Sequence, residues 1–252
     1  MIILKFGGSI ITNKKGKSEA RMNNIKEIAK TIGKMWKMGV RNIVIVHGAG
    51  SFGHPYVVEN QIKDGIKSEK QRWGFAKTHL ECTKLSNLFV NALLEEEVPA
   101  ISIAPSAVCL MTNKKIVDFS SIVFEYLEHG YLPIVHGDMV PDSKIEGAPL
   151  SGDQIVTYLG KNARIVAVGC DVDGVIDSKG EVINRITKSN LKEVLKSIKK
   201  VDGDVTGGME GKIRELLNLS GRSYIFNASV PKRIEEIVLG KKTVATEIIG
   251  RN

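Results

Sequence analysis

Four short runs of branched apolar residues, each ending at glycine, constrain this chain more than any other feature. Ile2-Ile3-Leu4-Lys5-Phe6 leads into Gly7-Gly8, and Ile43-Val44-Ile45-Val46 into His47-Gly48; Leu132-Pro133-Ile134-Val135 leads into His136-Gly137, and Ile165-Val166-Ala167-Val168 into Gly169. A strand with one wet face alternates apolar and polar residues. These runs do not, so both of their faces must be covered, as in a parallel sheet. Ser223-Tyr224-Ile225-Phe226 reads as a further strand. Parallel neighbours need long crossovers, and the intervening sequence supplies helical ones. Ile25, Ile28, Ile32, Met35 and Trp36 recur at helical spacing before Gly39, and Leu80, Leu85, Leu88, Phe89, Ala92 and Leu93 mark a longer helix ending before Pro99. Further helices are predicted near residues 119–129, 153–162, 189–199, 209–219 and 231–239. The expected class is α/β: a three-layer αβα sandwich with a mostly parallel central sheet and right-handed crossovers.

The 252 residues contain no repeat, low-complexity segment or obvious linker, so one folding unit over 1–252 is expected. A chain this long buries roughly three quarters of its unfolded surface and needs no covalent staple. Cys82, Cys109 and Cys170 are widely spaced, with no CxxC or Cys/His cluster, which argues against a disulfide framework and structural zinc and leaves buried free thiols. No apolar run is long enough for a membrane span, and the N-terminal residues lack the features of a signal peptide. A cytoplasmic protein without a membrane partner is expected. Thirty-six Lys and Arg against 28 Asp and Glu give +8, a surplus that suits nucleic acid, an anionic surface or small phosphorylated ligands. The lysines are spread along predicted helices with no basic tail, so no nucleic-acid partner is expected.

In an open α/β sheet, ligands sit beyond the carboxyl ends of the strands. Those ends carry Lys5-Phe6-Gly7-Gly8-Ser9, His47-Gly48-Ala49-Gly50-Ser51-Phe52-Gly53-His54-Pro55, His136-Gly137-Asp138 and Asp171-Val172-Asp173-Gly174-Val175, while Val205-Thr206-Gly207-Gly208-Met209-Glu210-Gly211-Lys212 opens a helix. Glycines expose backbone N–H groups and permit positive φ, so such loops cradle phosphate oxygens. Gly48-x-Gly50-x-x-Gly53 formally matches the dinucleotide fingerprint. Pro55 follows at once, however, and the polar segment 63–72 is no second buried strand, so NAD binding is disfavoured. The P-loop pattern is absent, because its first glycine would fall on Thr206. Lys5 stands out: it lies in a run that should be buried, where a lysine must be paired or functional.

The succession Lys5-x-Gly-Gly-Ser, His47-Gly-Ala-Gly, Ser151-Gly152-Asp153, Asp171-Val-Asp-Gly and Thr206-Gly-Gly-Met-x-x-Lys212 resembles the amino acid kinase superfamily over essentially the whole chain. The stretch Gly50-Ser51-Phe52-Gly53-His54-Pro55 is similar to its isopentenyl phosphate kinase branch, and to fosfomycin kinases. The resemblance implies an amino acid kinase-like fold, and the placement of the motifs suggests an acceptor-side half (about 1–150) and a nucleotide-side half (about 151–252). It also implies ATP-dependent phosphorylation of isopentenyl phosphate by direct in-line transfer. Mg²⁺ would be held mainly by the nucleotide phosphates, with no protein metal ligands, and the chain would form a homodimer. A phosphomonoester acceptor is largely dianionic at neutral pH and needs no general base, in keeping with loops that offer cations and N–H donors.

By the same resemblance, Lys5 touches the transferring phosphoryl group, and Gly7, Gly8, Ser9 and Gly50 face ATP. Lys14 stabilises transition-state charge, with its neighbour Lys15 an alternative. Gly208 and Lys212 bind the β- and γ-phosphates at a helix N-terminus, and Asp153 holds the lysines. Asp171, Val175 and Ile176 lie near ribose and adenine. Ala49, Gly53, Gly137 and His54 bind the acceptor phosphate, His54 as a hydrogen-bond donor. His47 and His136 read as core or loop-orienting groups, and His79 as a helix-face group near the acceptor. Phe75, Cys82 and Phe89 are candidates to line an alkenyl pocket, although ordinary core explains them as well. Another phosphotransferase of the superfamily, acting on fosfomycin, uridylate or acetylglutamate, is the alternative; nine arginines and His54 disfavour the last two.

Overall fold

The computed structural model describes residues 1–198 and 208–250. Among them the strands are β1 (Ile2–Phe6), β2 (Ile43–His47), β3 (Ala100–Ile103), β4 (Cys109–Thr112), β5 (Lys115–Phe119), β6 (Leu132–His136), β7 (Asp138–Asp142), β8 (Glu146–Leu150), β9 (Ile165–Cys170), β10 (Arg185–Thr187), β11 (Arg222–Asn227) and β12 (Thr246–Ile249). The helices are α1 (Gly8–Ile11), α2 (Met22–Lys37), α3 (His54–Glu59), α4 (Glu69–Glu95), α5 (Pro105–Val108), α6 (Ile122–Glu128), α7 (Gly152–Leu159), α8 (Leu191–Ser197), α9 (Gly208–Leu216) and α10 (Lys232–Val238). No helix among the described residues is long and apolar enough to cross a membrane.

The main sheet runs β10-β12-β11-β9-β1-β2-β6-β3. Every pairing in it is parallel except β11 with β12. The uninterrupted apolar runs are its central strands, as their double burial requires. In β1, Ile2, Leu4 and Phe6 enter one core layer with Ile25 of α2, Phe89 of α4 and Ile234 of α10. Ile3 enters the opposite layer, beneath Ile155 of α7 and Ile213 of α9. Strand alternation therefore sends Lys5 to the α7–α9 side, which decides its partners. Phe89, a candidate pocket residue, is fully buried in the first layer and is core.

A second sheet, β5-β4-β7-β8, was not expected from sequence. Its strands are short and partly polar, as in Lys115-Ile116-Val117-Asp118-Phe119, so they lack the continuous apolar signature. The β4–β5 hairpin turns on Asn113 and Lys114, both at positive φ (48° and 64°). This is the two-residue geometry that twisted hairpins favour. Asp142 fixes the turn by accepting from both of their N–H groups, at 3.1 and 2.7 Å.

Candidate active site

The β1 and β2 loops meet backbone against backbone. A Cβ on Gly8 would lie 2.6 Å from the Cα of Gly50, and one on Gly48 would lie 2.8 Å from the Gly8 nitrogen. Gly50 also has φ +50°, and its Cβ would overlap the Thr12 hydroxyl. No side chain fits at Gly8, Gly48 or Gly50, and the Gly8 and Gly50 N–H groups have no hydrogen-bond partner among the described residues. Thr12, which no motif marked, joins them. Its buried hydroxyl donates to the Gly8 carbonyl (2.7 Å) and accepts from the Ser51 N–H (3.1 Å).

Beyond these loops lies a cavity of about 580 Å³, at the carboxyl ends of β1 and β9. Gly7, Gly8, Ser9, Gly50 and His54 line one side. Asp171, Gly208 and Lys212 line the other, with Cys170, Val172 and Met209 as apolar wall. Thr206 and Gly207 of the fifth loop lie outside the described residues.

Lys5 is buried, 6% exposed, and its Nζ lies 3.1 Å from Asp153 Oδ1. Lys212, one helical turn into α9, approaches Asp153 Oδ2 at 3.7 Å. Asp153 stands in the first turn of α7, whose N-terminus is closed by a reciprocal Ser151–Gln154 capping box. Burial alone would raise the Asp153 pKa, but Lys5 and Lys212 outweigh it and hold the carboxyl below the usual range. One carboxylate thus keeps two ammonium groups together at the cavity wall.

Lys14 reaches the cavity from the loop after α1, and its neighbour Lys15 does not. Its Nζ lies 3.2 Å from Asp171 Oδ2, across the cavity mouth. Burial pushes the Asp171 pKa up, while bonds from Lys14 and from the Ser9 hydroxyl pull it down further, to a net lowering. Asp171 therefore ties the loop after β9 to the segment after β1, a role its motif did not suggest.

His54 opens α3, after Gly53. The residue is exposed, yet its surroundings remove enough water to lower its pKa from 6.5. The imidazole is therefore neutral at physiological pH. Its side chain has no hydrogen-bond partner among the described residues.

Ala49, Gly53 and Gly137 sit behind the cavity lining, against one another. A Cβ on Gly53 would lie 2.5 Å from that of Ala49 and 3.3 Å from Cys82 Sγ, and one on Gly137 would lie 3.2 Å from the Ala49 nitrogen. The cavity does not reach Val175 or Ile176. Val175 is fully buried, with its N–H taken by Thr246 Oγ1 at 2.8 Å, and Ile176 bridges to Val182. Cys82 and Cys109 are buried thiols, as expected, whereas Cys170 is only half-buried. His79 lies on α4 with Nδ1 3.0 Å from both oxygens of the buried Asp138, which raises its pKa. Phe75 packs beside Ile62, Ile66 and Met139, a small apolar cluster apart from the main core.

A model of the amino acid kinase family matches residues 1–227. The isopentenyl phosphate kinase of Methanothermobacter thermautotrophicus is 38% identical, with all of both chains covered. That of Methanocaldococcus jannaschii is 34% identical over 96% of each. A solved structure described as an isopentenyl phosphate kinase superposes with a TM-score of 0.83 at 36% identity, covering 98% of this chain and 99% of its own.

Proposed function

The chain belongs to the amino acid kinase family, and on that premise we propose that it transfers the γ-phosphoryl group of ATP to isopentenyl phosphate, forming isopentenyl diphosphate. The observation that carries this reading is the convergence of Lys5, Lys14 and Lys212 on one glycine-walled cavity that also presents His54. Joining two phosphates brings two polyanions together, so charge neutralisation and positioning are the main catalytic tasks. A pocket whose described residues include no base dyad suits an acceptor whose oxygen is already ionised.

The donor fits the nucleotide-side half, about 151–252 together with the β1 loop. Gly8 and Gly50 offer N–H groups where a Cβ would collide, Gly7 and Ser9 lie beside them on the cavity wall, and Gly208 opens a helix whose N-terminal dipole favours phosphate. Lys212 lies one turn inside that helix and Lys5 faces it across Asp153. The two are placed to neutralise the phosphoryl group in flight. Lys14 reaches the same point once it leaves Asp171.

When bound, Mg²⁺ supplies charge neutralisation between the nucleotide phosphates. Its ligands would be mainly the nucleotide phosphates themselves. On the acceptor side, about 1–150, His54 donates to the substrate phosphate, with the backbone of Ala49, Gly53 and Gly137 beneath it. The alkenyl tail is assigned to the apolar cluster at Phe75. A homodimer is assigned to the outer face of α4, where Trp73, Leu80 and Leu94, spaced at multiples of seven, are 63%, 48% and 52% exposed beside the edge strand β3. We place the enzyme in the cytoplasm.

A coupled ADP-release assay with Mg-ATP tests the reading against isopentenyl phosphate, UMP, acetylglutamate, glutamate, carbamate and fosfomycin. Preference for isopentenyl phosphate by at least about 10²-fold in kcat/KM is expected. Turnover with another acceptor alone would refute the acceptor assignment and leave the lysine chemistry intact.

A further inference from the structure

Two buried histidines have no part in the reaction as written above. His47 ends β2 and His136 ends β6, paired in register on adjacent strands. Both are fully buried, and their rings stack at 5.4 Å with 19° between planes. Each Nδ1 lies 3.2 Å from the carbonyl oxygen of the glycine that follows it, Gly48 or Gly137. A carbonyl only accepts, so Nδ1 carries the proton in both rings. Burial, reinforced by the neighbouring ring, lowers His47 to about 3, and burial lowers His136 as well, so both stay neutral.

That tautomer leaves each Nε2 as a buried acceptor without a partner among the described residues. An unsatisfied buried acceptor is destabilising, and an apolar ring would suit these places better if packing were the whole role. The geometry of the following peptide supplies another role. The described peptide bonds are trans, so an N–H points opposite to the carbonyl of its own peptide group. With the Gly48 carbonyl turned inward to His47, the Ala49 N–H is turned outward, toward the glycine-histidine loop. It has no hydrogen-bond partner among the described residues. The missing side chain of Gly137 leaves a notch above it, since a Cβ there would lie 3.2 Å from the Ala49 nitrogen. Gly137 is itself fixed by its N–H, which donates to the His47 carbonyl at 2.8 Å.

We propose that the His47 imidazole, stacked on His136, is a positioning residue that aims the Ala49 N–H at the phosphate of the acceptor. This rests on the reading that the acceptor phosphate occupies the glycine-histidine loop.

The test is amide-resolved ¹H–¹⁵N NMR of the full chain titrated with inorganic phosphate, following Ala49. The wild-type amide should shift saturably. His47→Asn, whose amide NH₂ can replace the Nδ1 donor, should keep that response. In His47→Phe the apparent Kd at this amide should rise roughly tenfold or more while the melting temperature does not fall, because the unpaired Nε2 is gone. Gly137→Ala, with both histidines intact, should lose the response by filling the notch. In turnover, His47→Phe should raise KM for the acceptor and leave KM for ATP within about twofold.

An Ala49 amide indifferent to phosphate in the wild type, or equally responsive in His47→Phe, overturns the proposal. So does a His47→Phe protein in which both KM values worsen together as the melting temperature drops. Should that variant fail to fold, long-range ¹H–¹⁵N spectra of the wild type decide: a proton on Nε2 rather than Nδ1 of His47 refutes the inferred bond. The probe is inorganic phosphate, so a failure to phosphorylate isopentenyl phosphate would refute the proposed activity and leave this test standing.

Discussion

Lys5 is the residue on which the proposed chemistry turns, and it was legible because it breaks an otherwise apolar run. Its burial beside Asp153 makes both groups dependent on each other. Lys5→Ala should lower kcat by roughly 10²–10³ with the fold retained, the scale for removing one preorganised charge donor; a rise in KM with kcat unchanged would mean that it binds without stabilising the transition state. At His54, Ala should cripple turnover with the acceptor while Asn or Gln retains more, and equal activity in all three variants would remove the ring from the site. His47 carries a pH prediction. Its pKa is about 3 in the fold against 6.5 when exposed, so its share of stability is complete above pH 6.5 and drains away as pH falls from there toward 3. Each pH unit in that window removes up to about 1.4 kcal/mol. Urea midpoints of the wild type should fall below pH 6.5 more steeply than those of His47→Phe. Thr12 and the Lys14–Asp171 pair were invisible in the sequence, because a hydroxyl between loops and an ion pair 157 positions apart leave no local pattern.

At the scale of elements, the doubly buried strands were readable from composition alone, and the crossover helices from their apolar spacing. The β4–β5 and β7–β8 hairpins were not. Their strands are short, and Asn113-Lys114 departs from the Asn-Gly signature of two-residue turns. The segment carrying Lys14 was equally opaque, since distant residues hold it. Ser18, at φ +52°, donates to Glu81 Oε2 at 2.8 Å and shares a 2.9 Å hydrogen bond with the Tyr56 hydroxyl, tying the segment to α3 and α4. Burial would raise the Glu81 pKa, but bonds from Lys84, Ser18 and Lys77 bring it to about 2. Glu81→Leu should free the segment. We expect kcat to drop several-fold, with protease cutting near residues 13–18, and Glu81→Gln to recover part of the loss; unchanged kcat and cutting would show that the knot does not serve Lys14.

For the molecule as a whole, one continuous central sheet carries the glycine loops, and the cavity opens at its strand ends. Architecture followed from the sequence because burial on both faces allows few alternatives. The acceptor followed only through a family resemblance in the Gly50–Pro55 stretch, because the loops proposed to hold it, from β1, β2, β6 and α3, come together only in the fold. The assigned dimer also belongs to this scale: Trp73→Glu with Leu80→Glu should halve the mass seen by light scattering, and a wild-type monomer would contradict the α4 interface. The central claim, transfer to a phosphate rather than to water or a carboxylate, is met most directly by ³¹P NMR of the protein with Mg-ATP and isopentenyl phosphate. The account predicts that the monoester signal converts into a pair of coupled diphosphate doublets, in step with ADP. An unchanged monoester signal, with inorganic phosphate appearing as ATP is consumed, would contradict it.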